Sequence, residues 1–89
     1  MQYWMAEFDG ATDGDNALVS KVRIQNNMYE PDALGNAEVR ILDYAGTAVC
    51  GNLPHTTEAG KWYELKCKQP LHGISVKISS TNGKMIAIS

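Results

Sequence analysis

The sequence predicts an all-β protein, and two observations carry this prediction. Apolar and polar residues alternate in segments 37–41 and 74–78, so each segment presents one apolar face. A two-residue period of this kind is typical of strands. No segment of the 89 residues has a convincing helical pattern, and Gly, Pro, Asn and Asp lie at the breaks between segments. The pattern favours an antiparallel β-sandwich or barrel.

The first two predicted strands, residues 3–8 and 18–25, each carry an apolar face. Trp4, Ala6 and Phe8 share one face of the first strand. The segment after each of these strands is polar and rich in Gly, Asn and Asp. These residues supply the backbone conformations that turns need, so a loop is predicted after each strand. The second strand is expected to place four alternating residues on one face: Leu18, Ser20, Val22 and Ile24.

The five later strands are predicted at residues 37–42, 47–50, 62–67, 73–79 and 84–88. The dipeptide at 82–83, Asn-Gly, is a strong hairpin signal, so the last two strands are expected to pair antiparallel. The two sheets should enclose one core that also receives the following residues: Val39, Ile41, Ile74, Val76, Ile78, Ile86 and Ile88.

Composition limits the classes of function. A chain of 89 residues forms one domain at most and buries only about 60 to 65% of its unfolded surface, so a disulfide, a metal or a partner is expected to help stabilise it. The net charge is −2 and the eight Lys and Arg are scattered along the sequence, which argues against a nucleic-acid partner. No apolar run approaches the roughly 20 residues of a membrane span, so membrane insertion is not expected.

Cys50 and Cys67 are the two cysteines of the chain. An even number of cysteines in a small β-rich chain favours a disulfide and an extracellular or cell-surface location, whereas two buried free thiols are the alternative. A bridge would close a loop of about 16 to 18 residues and contribute on the order of 3 kcal/mol. The spacing is too wide for a CxxC redox centre.

The collinear order of these features resembles a known family. Segments 3–9, 18–26, 36–41 and 73–78, together with the cysteine pair, resemble the C-terminal portion of a discoidin-like domain. This galactose-binding-like jelly roll occurs in coagulation factor type C modules, and the likeness is greatest to its fucose-binding F-type lectin branch. The resemblance implies a disulfide between the two cysteines. It also implies that residues 1–89 form a single partial domain lacking the family's N-terminal strands.

The resemblance implies a non-enzymatic carbohydrate-binding or adhesion module of lectin type. The fucose-binding Arg-x-Asp motif is degenerate here, and each charged hydrogen bond lost with it is worth about 1.5 to 3 kcal/mol, so fucose binding is not expected. A different sugar is expected at loops 26–35 and 51–60, where the predicted ligand contacts are Asn27, Tyr29, Glu30, Asp32 and His55.

Other site types find little support in the sequence. Segment 9–15 contains three Asp but lacks two oxygen ligands of a calcium loop, so an acidic solvated turn is favoured and no metal or cofactor is expected. His55 and His72 have no partner at the spacing of a nucleophile pair or zinc set, so no enzyme is expected. Trp62 is expected in the core rather than on a binding surface.

The expected partner is a glycan or a cell-surface glycoprotein. The alternative is a structural module without a ligand site. In that case the exposed sheet edges would pair with further copies, as a homo-oligomer, or with a complementing chain that supplies the missing strands.

Overall fold

Six strands make up the regular structure of the part of the chain that is described. The computed structural model describes residues 3–8, 17–26, 34–43 and 45–81. The predicted all-β class is confirmed, while the predicted strand 84–88 and its hairpin with 73–79 lie outside the described residues. In chain order the strands are β1 (Tyr3–Glu7), β2 (Ala17–Gln25), β3 (Glu38–Asp43), β4 (Gly46–Asn52), β5 (Trp62–Gly73) and β6 (Ser75–Ser79).

The strands form two antiparallel sheets that pack face to face. One sheet has the strand order β1-β6-β3-β4, and the other pairs β2 with β5. The predicted antiparallel sandwich is therefore confirmed. Its assignment to the discoidin-like jelly roll remains a prediction from the sequence.

Strand β3 supplies the centre of the core. Val39 and Ile41 are 0% and 1% exposed, and they lie opposite Ile78 and Val76 of β6 in the register. The side-chain period of two gives this burial, because Glu38 and Arg40 then face the other side. Leu34 and Leu53, which flank the strands, are also buried and close one end of the core.

The predicted apolar face of strand β2 is wrong at one end of the strand. Leu18 is 61% exposed whereas Val19 is 9% exposed, so the placement of Leu18 in the core is wrong. The pairing of β2 with β5 shifts register between Val19 and Lys21, and the alternation of inward and outward side chains along β2 is broken at this point. Val22 and Ile24, beyond the register shift, keep the predicted inward direction.

A disulfide joins the two sheets. Cys50 of β4 is bonded to Cys67 of β5, with an S–S distance of 2.11 Å and a Cα–Cα distance of 4.4 Å. The predicted bridge is confirmed, and the alternative of two free thiols is wrong. Both cysteines are buried, so the bond continues the core between the sheets.

Candidate functional site

The connection between β4 and β5, residues 53–61, lies across one end of the sandwich. Asn26 at the end of β2 donates its backbone N–H to Lys61 O at 3.0 Å and accepts from Gly60 N at 3.1 Å. On the other side, Asn36 donates its backbone N–H to Pro54 O at 3.0 Å. The described ends of the two loops that the sequence predicts as the contact region are therefore hydrogen-bonded to each other.

Buried side chains hold this connection in place. Asn26 is 0% exposed and its Nδ2 donates to Glu58 O at 3.1 Å. Gln25 Nε2 donates to Gly60 O at 3.2 Å, and the hydroxyl of Tyr63 accepts the backbone N–H of Glu58 at 2.6 Å. Each bond replaces water on a backbone group of the loop, so the loop is fixed relative to the β2–β5 sheet.

A polar cluster surrounds Asn36 on the exposed side of this end. Asn36 Nδ2 donates to His55 Nδ1 at 2.7 Å, so a neutral imidazole carries its proton on Nε2. The backbone carbonyl of Asn36 accepts from Asn52 Nδ2 at 3.0 Å and from Thr81 Oγ1 at 3.1 Å. His55 is thus the predicted site residue whose surroundings are described. The other four predicted contacts lie outside the described residues: Asn27, Tyr29, Glu30 and Asp32.

Trp62 begins β5 on the outer face of the two-stranded sheet. It is 53% exposed, so the expectation of a core tryptophan is wrong. The guanidinium carbon of Arg23 lies 5.2 Å from the centroid of the indole ring, within the range of a cation–π contact. Gln25 is the cross-strand partner of Trp62 in the antiparallel register. An open aromatic surface therefore lies beside two side chains that donate hydrogen bonds.

The sequence contained the signal that would have placed Trp62 correctly. Tyr63, Leu65 and Cys67 occupy one set of alternating positions in β5 and all pack inward. Trp62 belongs to the other set, whose next three members are charged: Glu64, Lys66 and Lys68. Because strand faces alternate strictly, the position of Trp62 on the polar side outweighs the general tendency of tryptophan to be buried.

The opposite sheet carries a second exposed aromatic residue. Tyr3 on β1 is 56% exposed, and Lys77 Nζ of β6 lies 4.6 Å from its ring centroid. The pair has the same chemistry as Arg23 and Trp62, but it lies on the other sheet. It therefore provides a matched control for experiments on Trp62.

The β3–β4 turn borders an open recess of about 250 Å³ that includes Asp43 and His72 in its lining. Asp43 Oδ1 accepts the backbone N–H groups of Ala45 and Gly46, each at 2.8 Å, so this carboxylate shapes the turn. Within residues 3–8, 17–26, 34–43 and 45–81, no three His, Cys, Asp or Glu side chains form a group that could hold a metal ion. The acidic segment 9–15, considered for calcium, lies outside these ranges.

The same described part of the chain contains no helix that is long and apolar enough to cross a membrane. Comparisons with known proteins give no family: no family model, no curated protein and no solved structure matches the chain. The likeness to discoidin-like lectins therefore rests on the sequence features alone.

Proposed function

We propose that this protein is a non-enzymatic carbohydrate-binding module of lectin type that works outside the cell or on its surface. The observation that carries the proposal is the half-exposed ring of Trp62, flanked by Arg23 and Gln25 on a sheet that a disulfide anchors. A disulfide is compatible with an oxidising, extracellular environment.

The arrangement suits the two kinds of surface on a sugar. The ring of a saccharide has an apolar C–H side, which an indole ring can cover, and hydroxyl groups, which charged and amide side chains bind. The strands β2 and β5 hold these groups in a fixed register, so little conformational entropy is lost on binding. One stacked ring and one or two charged hydrogen bonds supply about 4 kcal/mol, which corresponds to millimolar affinity for a single sugar unit.

The connection 53–61 extends the proposed site towards loop 26–35. Asn27, Tyr29, Glu30 and Asp32 remain the proposed contacts in that loop, because the residue that begins it, Asn26, and the residue that follows it, Asn36, are hydrogen-bonded to the connection that precedes Trp62. His55 offers an exposed polar edge on the same connection, where Asn36 orients its ring.

Trp62→Ala tests the site. We expect the wild-type protein to bind specific saccharides on a glycan array, and we expect Trp62→Ala to weaken that binding at least about tenfold, as the loss of about 1.5 kcal/mol requires. The side chain is half exposed, so the variant should keep its thermal stability within a few degrees. Tyr3→Ala, the matched change on the opposite sheet, should leave saccharide binding unchanged.

Two results would contradict the proposal. A blank array for the folded wild-type protein, under conditions that detect millimolar affinity, would remove the lectin function. Loss of binding in Tyr3→Ala but not in Trp62→Ala would remove the site on β5.

The edge of the larger sheet favours a second candidate function, that of an assembly module. Among the described strands β1 pairs only with β6, so one side of β1 is left without a partner strand. Tyr3 and Met5 are exposed on this strand, at 56% and 47%. Such an edge can accept a strand from another copy or from a complementing chain.

A further inference from the structure

Pairing of β2 with β5 gathers cations that are far apart in the sequence. The outer face of this sheet carries Lys21 and Arg23 from β2 and Lys66 from β5, with Glu64 between them. We call these four residues, together with Trp62, the basic face. It contains three cations and one carboxylate in a chain whose net charge is −2. Its local charge is therefore opposite in sign to that of the whole protein.

Lys21 and Lys66 lie directly opposite each other in the antiparallel register. Like charges at directly opposed positions destabilise a sheet, because their side chains begin only about 5 Å apart. Both side chains are exposed, so packing of the core does not require a charge at either position. An anion bound between the two lysines would remove the repulsion.

Glu64 does not neutralise the basic face. Its carboxylate is shared between Lys21 Nζ at 3.7 Å and Arg23 Nε at 4.0 Å, and all three side chains are more than half exposed. Exposed pairs of this kind contribute little and are exchanged easily for another anion. Lys66 makes no ion pair with any described residue.

The cationic side chains lie next to the aromatic ring of Trp62. Arg23 contacts the indole of Trp62, and Trp62, Glu64 and Lys66 alternate along β5. Outward residues are about 6.8 Å apart on a strand, so the face from Trp62 to Lys66 is roughly 14 Å long. This length fits several linked sugar units rather than a single one.

We propose that the basic face binds an acidic saccharide chain, one that carries carboxylate or sulfate groups. Trp62 stacks on one sugar ring, while Lys21 and Lys66 bind an anionic group together and Arg23 binds a second. The inference rests on the proposed carbohydrate-binding function and specifies its substrate class. A single-stranded nucleic acid is the less suitable polyanion, because such strands bind through successive stacked bases and the described part of this face offers one aromatic ring.

Immobilised heparin, a sulfated polysaccharide, and hyaluronan, which carries carboxylates only, test the proposal and separate the two anionic groups. We expect the full chain to bind at least one of them, with an affinity that falls as salt is raised. The double variant K21A/K66A should bind about tenfold more weakly, from two exposed contacts worth roughly threefold each. The control K77A removes one cation from the opposite sheet, and its affinity should change less than about twofold. Thermal melting checks that each variant is folded.

The possible failures are distinguishable. If neutral glycans bind, Trp62→Ala weakens that binding, and neither heparin nor hyaluronan binds, then the acidic substrate class is wrong and the carbohydrate-binding function stands. If no saccharide of either kind binds, both are wrong. If a single-stranded oligonucleotide binds as tightly as heparin and K21A/K66A weakens both equally, the face is a general polyanion site and the proposal is overturned.

Discussion

Gly73 ends β5 where the chain passes closest to β3. A Cβ atom added to Gly73 would lie 2.4 Å from Ile41 Cγ2 and 2.8 Å from the backbone oxygen of Leu42. The close approach lets Ile74 donate its backbone N–H to the same Leu42 oxygen at 2.8 Å. The absence of a side chain at Gly73 therefore allows the two-stranded sheet to lead into β6 beside β3.

Gly73→Ala should lower the free energy of unfolding by about 1 to 3 kcal/mol, since backbone and core atoms must both shift. Gly51→Ala is the matched control. Its Cβ would lie 3.2 Å from Leu65 Cδ1, the movable end of a side chain, so we expect a change below about 1 kcal/mol. Urea denaturation of both variants measures the difference, and an equal loss in both would show that the contact with β3 is unimportant.

Asn36 adopts a left-handed backbone conformation, with φ of 59°. Asn and Gly tolerate this region, whereas alanine is strained there by about 1 to 2 kcal/mol. Asn36→Gly and Asn36→Ala both lose the hydrogen bond to His55, so their difference isolates the backbone effect. We expect the alanine variant to unfold at the lower urea concentration. A glycine variant that is no more stable than the alanine variant would contradict the assignment of strain to this residue.

At the scale of single residues, the sequence predicts burial well where alternation is regular. Val39 and Ile41 are buried as expected because no bulge interrupts the pairing of β3 with β6. The core position predicted for Leu18 is wrong because the register shift between Val19 and Lys21 has no composition signal of its own. The core position predicted for Trp62 is wrong because the strand period outweighs the general preference of tryptophan for burial, and the candidate site depends on this residue. The role of His55 as a ligand contact remains a prediction.

At the scale of elements, the cysteine pair shows how a local pattern predicts a long-range contact. Cys50 and Cys67 each lie in a short strand-like run, and the structure joins these strands, β4 and β5, through the bridge. The sequence placed the starts of the described strands within a residue or two. The predicted end of the fifth strand, at residue 67, is too early, because β5 resumes pairing with β2 at Leu71 and continues to Gly73.

Removing the disulfide should destabilise the fold by about 3 kcal/mol, the value for a loop of this length in the chain-entropy model. The experiment compares the wild-type protein, oxidised and reduced, with the double variant Cys50→Ala/Cys67→Ala by thermal melting. The two states without the disulfide, reduced wild type and double variant, should agree, and a reducing agent should not affect the double variant. A reduced protein as stable as the oxidised one would show that packing alone holds the sheets together.

At the scale of the whole molecule, the two sheets have different outer faces. The β2–β5 sheet presents the basic face, whereas the larger sheet presents Tyr3, Met5 and Val49 as exposed apolar residues. The larger sheet also ends in β1 and β4, each of which pairs on one side only among the described strands. Binding of ligand and assembly with other chains would therefore use opposite sides of the sandwich.

Met5→Lys tests assembly through β1. If copies associate at this edge, light scattering should show an oligomer for the wild-type protein and a monomer for Met5→Lys, because a charge on an edge strand opposes strand addition. Val49→Lys applies the same change to β4 and should leave the oligomer intact. A wild-type protein that stays monomeric at all concentrations would rule out self-association as its role.

The bond between Cys50 and Cys67 also determines how the molecule would respond to a pulling force. Tension applied at the two chain ends passes through the sulfur atoms. It does not pass through the backbone between Cys50 and Cys67, which are 17 residues apart in the sequence. A fully extended residue spans about 3.4 Å, so roughly 55 Å of contour length stays hidden until the bond is reduced. If the protein is attached to a surface, as proposed, this bond keeps the backbone between the two cysteines, which includes Trp62, unstretched while the rest of the chain bears the load.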